Sequence, residues 1–230
     1  MIAQRLQESL RFWWQYLTAL LLVTAPFAVS GEFVQWGFGP ALSADESGLH
    51  IGHLSALLLL LLRPFAEGAV MAQLVAIEGG RPRGLGDCLM FCVRAAPTLL
   101  ATFLFLGVLV YLGLMLLIFP GVWLYARLCQ APFIAVLEGQ TPVQALQESF
   151  RRTQTDQWQI LLAVTLAYMM VLLVTNTFGV LVLNLLGDQK ISTLLIALAT
   201  SLLSAMPTVL IFRYYGLHRP SAPPTDNGHG

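Results

Sequence analysis

Charge is what this sequence has least of. Asp, Glu, Lys and Arg make up 10% of its 230 residues, where a soluble domain carries about 25%. With 57% apolar residues and a mean hydropathy of +0.74, there is too little polar material to coat a globule of this size. That excludes an ordinary soluble enzyme and a disordered chain. Cysteine is scarce too. Cys88, Cys92 and Cys129 show no paired spacing, so no disulfide framework is implied. Neither sign of charge is in excess, with 12 basic residues against 12 acidic ones, and nothing points to nucleic acid.

What the chain has in quantity is long apolar runs. They are continuous rather than alternating, so they read as membrane-spanning helices, not as barrel strands. The expected fold is all-α: a polytopic helical bundle with six spans. These are Tyr16–Trp36, Ile51–Ile77, Thr98–Phe119, Val122–Leu137, Ile160–Leu186 and Ile191–Tyr215. The fourth would be only about 24 Å long against a core of roughly 30 Å. It follows Pro120-Gly121 directly, so the third and fourth spans should form a tight hairpin. Basic residues mark the cytoplasmic side. Arg5, Arg11, Arg81, Arg83, Arg94, Arg151, Arg152, Arg213 and Arg219 fall on one side. Lys190 falls on the other, where the first outer loop carries Glu32, Asp45 and Glu46. Both termini are therefore expected in the cytoplasm, in a multi-pass protein of a bacterial inner membrane. Residues 1–30 also have the features of a signal peptide, but the repeat described next favours a retained first span. The Pro/Gly-rich stretch Ser221–Gly230 reads as a disordered tail after a single membrane domain over 1–220.

Two short matches suggest three copies of one unit, over about 1–77, 78–137 and 138–216. Ile77-Glu78-Gly79 recurs as Leu137-Glu138-Gly139, and Leu6-Gln7-Glu8-Ser9 recurs as Leu146-Gln147-Glu148-Ser149. Each unit opens with an amphipathic elbow. Thr141-Pro142-Val143-Gln144 is a capping-box start, after which Val143, Leu146 and Phe150 share a face. Leu6, Leu10, Trp13 and Trp14 form the stripe of the first elbow. Leu85, Leu89 and Val93 form that of the second, with Arg83 and Asp87 as an i,i+4 pair. Such helices lie in the headgroup layer. Their arginines, Arg81, Arg83, Arg94, Arg151 and Arg152, then become candidate contacts for phospholipid headgroups.

The block PGVWLYARLCQAPFIAVLEGQTPVQALQESFRRT resembles the YciC-type family of uncharacterised bacterial inner-membrane proteins. More loosely, it resembles the membrane domain fused to some glycerophosphodiester phosphodiesterases. The likeness rests on Pro120-Gly121, Ala131-Pro132, Glu138-Gly139 and Ser149, and on Phe212-Arg213-Tyr214-Tyr215. It implies topology and location and supplies no catalytic residues.

The residues for chemistry are sparse. His50 and His53 stand at i,i+3 with no ligand cluster around them, Cys88 and Cys92 read as small apolar contacts, and Ser9 and Ser149 have no triad partners. No metal, cofactor or catalytic set is expected. The informative residues are Arg63, Glu67 and Arg127, charges that fall inside spans, where each needs a partner or water. The 60-residue offset aligns Glu67 with Arg127 and predicts an interhelical pair. Asn176, between Thr175 and Thr177, predicts interhelical hydrogen bonds. The leading reading is a non-enzymatic scaffold that meets membrane phospholipid, a membrane-protein partner or a second copy of itself. The competing reading is a small-molecule or lipid transporter using the intramembrane charges.

Overall fold

In hydrocarbon every backbone polar group must pair within its own segment, and the apolar runs fold accordingly. The computed structural model describes residues 2–45, 48–81, 83–187 and 189–218. Among these it has nine helices: α1 (Ile2–Gln15), α2 (Leu17–Phe38), α3 (His53–Glu78), α4 (Leu85–Leu116), α5 (Ile118–Leu128), α6 (Ala131–Leu137), α7 (Pro142–Arg152), α8 (Gln157–Leu186) and α9 (Lys190–His218). Five of them, α2, α3, α4, α8 and α9, are long and apolar enough to cross a membrane. An antiparallel hairpin of β1 (Leu42–Asp45) and β2 (Gly48–Ile51), with Leu42 opposite Ile51, joins α2 to α3. The apolar pattern of the sequence predicts no strand there. Glu46, Arg219 and the Ser221–Gly230 tail lie outside the described residues.

The fourth expected span is a broken one. Pro132 has no N–H to offer the carbonyl of Leu128, so the ladder stops at Cys129–Gln130 and restarts as α6. At 11 and 7 residues, or roughly 17 and 11 Å, neither piece crosses alone. The reversal before it falls at Leu117, which is extended (φ −166°, ψ 155°), and not at Pro120-Gly121. Pro120 instead occupies the first turn of α5, where a missing N–H costs nothing. Two glycines let the arms of this turn touch. A Cβ on Gly113 would sit 2.9 Å from the Gly121 Cα, and one on Gly121 would sit 2.7 Å from the Leu114 backbone nitrogen.

The elbows bury only part of their apolar surface against the bundle. The second is continuous with the span after it. Because α4 runs straight through, it keeps one buried line, Cys88, Cys92, Leu99, Thr102 and Leu106, and Leu89 and Val93 are left exposed. Arg83 precedes the helix, so it stands over Phe91 (5.9 Å), outside any i,i+4 register with Asp87. In α1, Trp13 turns inward and donates its indole N–H to the Leu202 carbonyl (3.0 Å), and Leu10 and Trp14 turn outward. Reciprocal cation–π contacts close α1 on α9: Arg5 over Tyr214 (5.1 Å) and Arg213 over Phe12 (4.8 Å). In α7 the Thr141 N–H donates to Gln144 Oε1 (3.3 Å), and the buried face is Ala145, Leu146 and Ser149. Asn176 and Thr177 bond the carbonyls of Leu172 and Leu173 in their own helix, not a neighbour.

The 60-residue offset is not kept at the helix ends. It aligns Gly79 with Gly139, yet positive φ falls at Gly80 (73°) and Gly139 (67°).

Helices α2, α3, α4, α5, α8 and α9 each pack on the next, and α9 returns to α2, closing a ring that α3 and α9 also bridge. Packing is uneven along the axis. Buried side chains concentrate in the later halves of α3 and α9 and in the first half of α8, beside α6 and α7. Met71, Leu74, Phe133, Ile160, Met206 and Leu210 fill this end, the one that carries the elbows. Toward the hairpin the bundle is looser.

Candidate functional site

Two polar groupings lie in the bundle. The first ties the packed end together. Arg152 on α7 makes a two-pronged contact with Glu138 (2.6 and 2.8 Å), and its Nε reaches Glu148 (2.7 Å). The Tyr215 hydroxyl donates to the same Glu138 from α9 (3.1 Å). Hydrogen bonding from Arg152 holds the Glu138 carboxyl below the usual carboxylate range. Arg151 and then Arg152 do the same to Glu148, and Glu138 raises Arg152 in return. Expected as a headgroup contact, Arg152 is 9% exposed and gives three of its five guanidinium N–H donors to Glu138 and Glu148. Arg81, Arg83, Arg94 and Arg151 are exposed at this end.

Arg127, in the last turn of α5, belongs to the same packed end. Its guanidinium bonds Gln157 (3.0 Å) and lies over the rings of Phe150 (3.9 Å) and Trp123 (5.5 Å). Its carbonyl accepts from Ser149 (2.9 Å) and Thr153 (3.1 Å). The expected Glu67–Arg127 pair is not made. The offset that aligned them assumes an unbroken helix down to Glu138. The interruption at Cys129–Gln130 resets the helix phase and leaves Arg127 facing α7 and α8.

The second grouping sits inside the ring. Arg63 is ten residues into α3, roughly 15 Å along its axis. Glu67, one turn on, accepts the Thr208 hydroxyl of α9 (2.8 Å). From the other side of the ring, the Tyr125 and Tyr168 hydroxyls share a hydrogen bond (2.7 Å). Arg63 lines one cleft with Tyr125 and Tyr168 and stands one turn from Glu67 on α3. Among the described residues no carboxylate lies at ion-pair distance from it. Arg63 is exposed within the bundle and lines two clefts. One, about 360 Å³, lies between α2, α3 and α9 and includes Glu32, Gln35, Thr200 and Ser201. The other, about 330 Å³, lies between α4, α5 and α8 and is apolar but for Arg63, Tyr125, Thr165 and Tyr168.

Glu32 was expected in the outer loop. It lies within α2, buried, and accepts from Gln35 (3.3 Å). Tyr125, Tyr168 and Thr208 carry no motif that sequence could have flagged. Glu32 had one, since it falls inside the span read as Tyr16–Trp36. Cys88 and Cys92 face inward, their thiols donating to Gln73 Oε1 (3.3 Å) and the Phe65 carbonyl (3.5 Å).

Five apolar helices of spanning length, with their charges gathered inside a ring or at one end, define a multi-pass membrane protein. No protein family matches the chain, and no curated protein or solved structure does either.

Proposed function

We propose that this chain is a non-enzymatic integral protein of a bacterial inner membrane, of the YciC type, and that it binds phospholipid through Arg63. One observation carries the reading. Arg63 is a guanidinium at membrane depth, between two clefts, with no carboxylate in contact. Such a charge is costly without an anion or water. Glu67 is already engaged by Thr208. A lipid phosphate would take guanidinium donors of Arg63, and the apolar cleft beside Tyr125 and Tyr168 would take acyl carbons. The exposed Arg81, Arg83, Arg94 and Arg151 suit a layer of anionic headgroups at the packed end.

The full chain in mild detergent is expected to carry phospholipid at fixed stoichiometry by native mass spectrometry. Arg63→Gln should retain roughly tenfold less, losing a charge-assisted pair, and Arg151→Gln should retain the wild-type amount. Wild-type protein without lipid, or an Arg63→Gln variant fully loaded, would reject the reading. The basic end is expected to face the cytoplasm. A reporter fused after Tyr215 should be active only in its cytoplasmic form, and activity only in the periplasm would reverse the orientation.

A second reading is transport, favoured by a cleft on each side of Arg63 and by the broken span α5–α6, a device found at many transport sites. Its test is movement of labelled lipid between leaflets of proteoliposomes. Binding without transfer leaves the scaffold reading.

A further inference from the structure

The cleft between α2, α3 and α9 holds two charges of opposite sign, and their placement selects a ligand more narrowly than Arg63 alone. Gly31 of α2 lies against Leu59 of α3, where an added Cβ would come 3.3 Å from Leu59 Cδ2. Glu32 is therefore level with the turn around Leu59. Arg63, four residues further along α3, is roughly 6 Å deeper. Both line the same cleft. Glu32 is buried and uses part of its acceptor capacity on Gln35. A carboxylate offers about four lone-pair sites, so acceptors remain.

A bare anion on Arg63 would be repelled by Glu32, and a bare cation on Glu32 by Arg63. A ligand carrying both charges satisfies both ends. We infer that this cleft binds a zwitterion whose phosphate sits on Arg63 and whose primary ammonium sits on Glu32. A two-carbon linker with a charge-assisted hydrogen bond of about 2.8 Å at each end covers the one-turn offset. A quaternary ammonium has no N–H to give Glu32, and a glycerol head has no cation, so both bind less well. The shared chemistry belongs to an ethanolamine phospholipid and to a soluble phosphoethanolamine ester. The acyl-sized apolar space on the far side of Arg63 favours the lipid. The inference rests on the reading of Arg63 given above.

The experiment is headgroup competition on the full chain in detergent, followed by native mass spectrometry. Ethanolamine, glycerol and choline phospholipids of matched acyl chains are offered in equal amounts. Wild-type protein should retain the ethanolamine lipid roughly tenfold over either competitor. Glu32→Gln should lose that preference, and Glu32→Asp should keep most of it. A second arm adds glycerophosphoethanolamine. Displacement of the lipid assigns the site to the soluble ester, and retained lipid assigns it to the membrane. Equal retention of the three lipids, a glycerol-lipid preference, or an unchanged preference in Glu32→Gln overturns the inference while leaving lipid binding at Arg63 intact. Wild-type protein that binds no phospholipid and no ester instead removes the Arg63 reading on which it stands. The wild-type ranking needs no variant, so a folding defect in Glu32→Gln does not blunt the test.

Discussion

Replacing Arg152 with Gln is expected to destabilise the fold by about 2–3 kcal/mol, read as the shift of the thermal unfolding midpoint in detergent. Removing one partner of a buried ion pair costs about 3–5 kcal/mol. The estimate is lowered because Glu138 and Glu148 are 19% and 18% exposed, so water would recover part of the loss. Three elements are joined at this arginine, which bridges the ends of α6 and α7, while Tyr215 of α9 adds its hydroxyl to the same carboxylate. The pH dependence has a definite sign. Both carboxyls are held below their ordinary range, so their contribution is full above the unfolded glutamate value of about 4.3. It is lost as pH falls through the lower folded values. Wild-type stability should drop below about pH 4.3, and Arg152→Gln should show much less of that drop. An Arg152→Gln protein with the wild-type midpoint and the same acid profile would show that the clamp contributes nothing.

Gly113→Ala and Gly121→Ala should each cost about 1–3 kcal/mol, with abundance falling accordingly. At Gly113 the obstacle is main chain, which cannot rotate away as a side chain can, and at Gly121 it is the Leu114 side chain (2.5 Å) together with the Leu114 backbone nitrogen. The Gly113 Cβ would meet the Gly121 Cα at 2.9 Å, and the Gly121 Cβ would meet the Leu114 nitrogen at 2.7 Å. The α4–α5 arms would have to part, and the apolar cleft beside Tyr125 would change shape with them. Gly107→Ala is the control. Nothing lies within 4 Å of its added methyl, and alanine in a helix is neutral to mildly stabilising. If all three variants behaved alike, close glycine packing would not be what sets this turn.

The sequence made the spans legible and left the facing of each helix largely hidden. Apolar runs long enough to cross a bilayer announce themselves by length, and α2, α3, α8 and α9 fall close to where they were expected. Facing is harder in a membrane protein, because an outward leucine is as favourable in lipid as an inward one. On α4, Leu89 and Val93, expected to face the headgroup layer, are exposed, and Cys88 and Cys92, expected as small apolar contacts, are the buried line. The interruption at Cys129–Gln130 was legible in principle, since Pro132 stands where an amide is needed. Reading the segment as one short span concealed it and placed Arg127 opposite Glu67. Arg63 and Glu67 were found by charge alone. Their partners, Thr208, Tyr125 and Tyr168, lie 58 to 141 residues from Glu67 along the chain, and no local pattern encodes such a meeting.

Helix α9 has a consequence for the order in which the protein can be built. It supplies the Leu202 carbonyl to Trp13, the Thr208 hydroxyl to Glu67 and the Tyr215 hydroxyl to Glu138. Those three groups belong to α1, to α3 and to the end of α6, all of them synthesised earlier. Until α9 enters the bilayer, the ring is open along two edges, α8 and α2, and a carboxylate at membrane depth has lost its hydroxyl donor. The nascent chain therefore passes through a stage in which most of its helices are present while Trp13, Glu67 and Glu138 lack these contacts. That stage ends when a single helix arrives and satisfies groups in three distant parts of the chain at once.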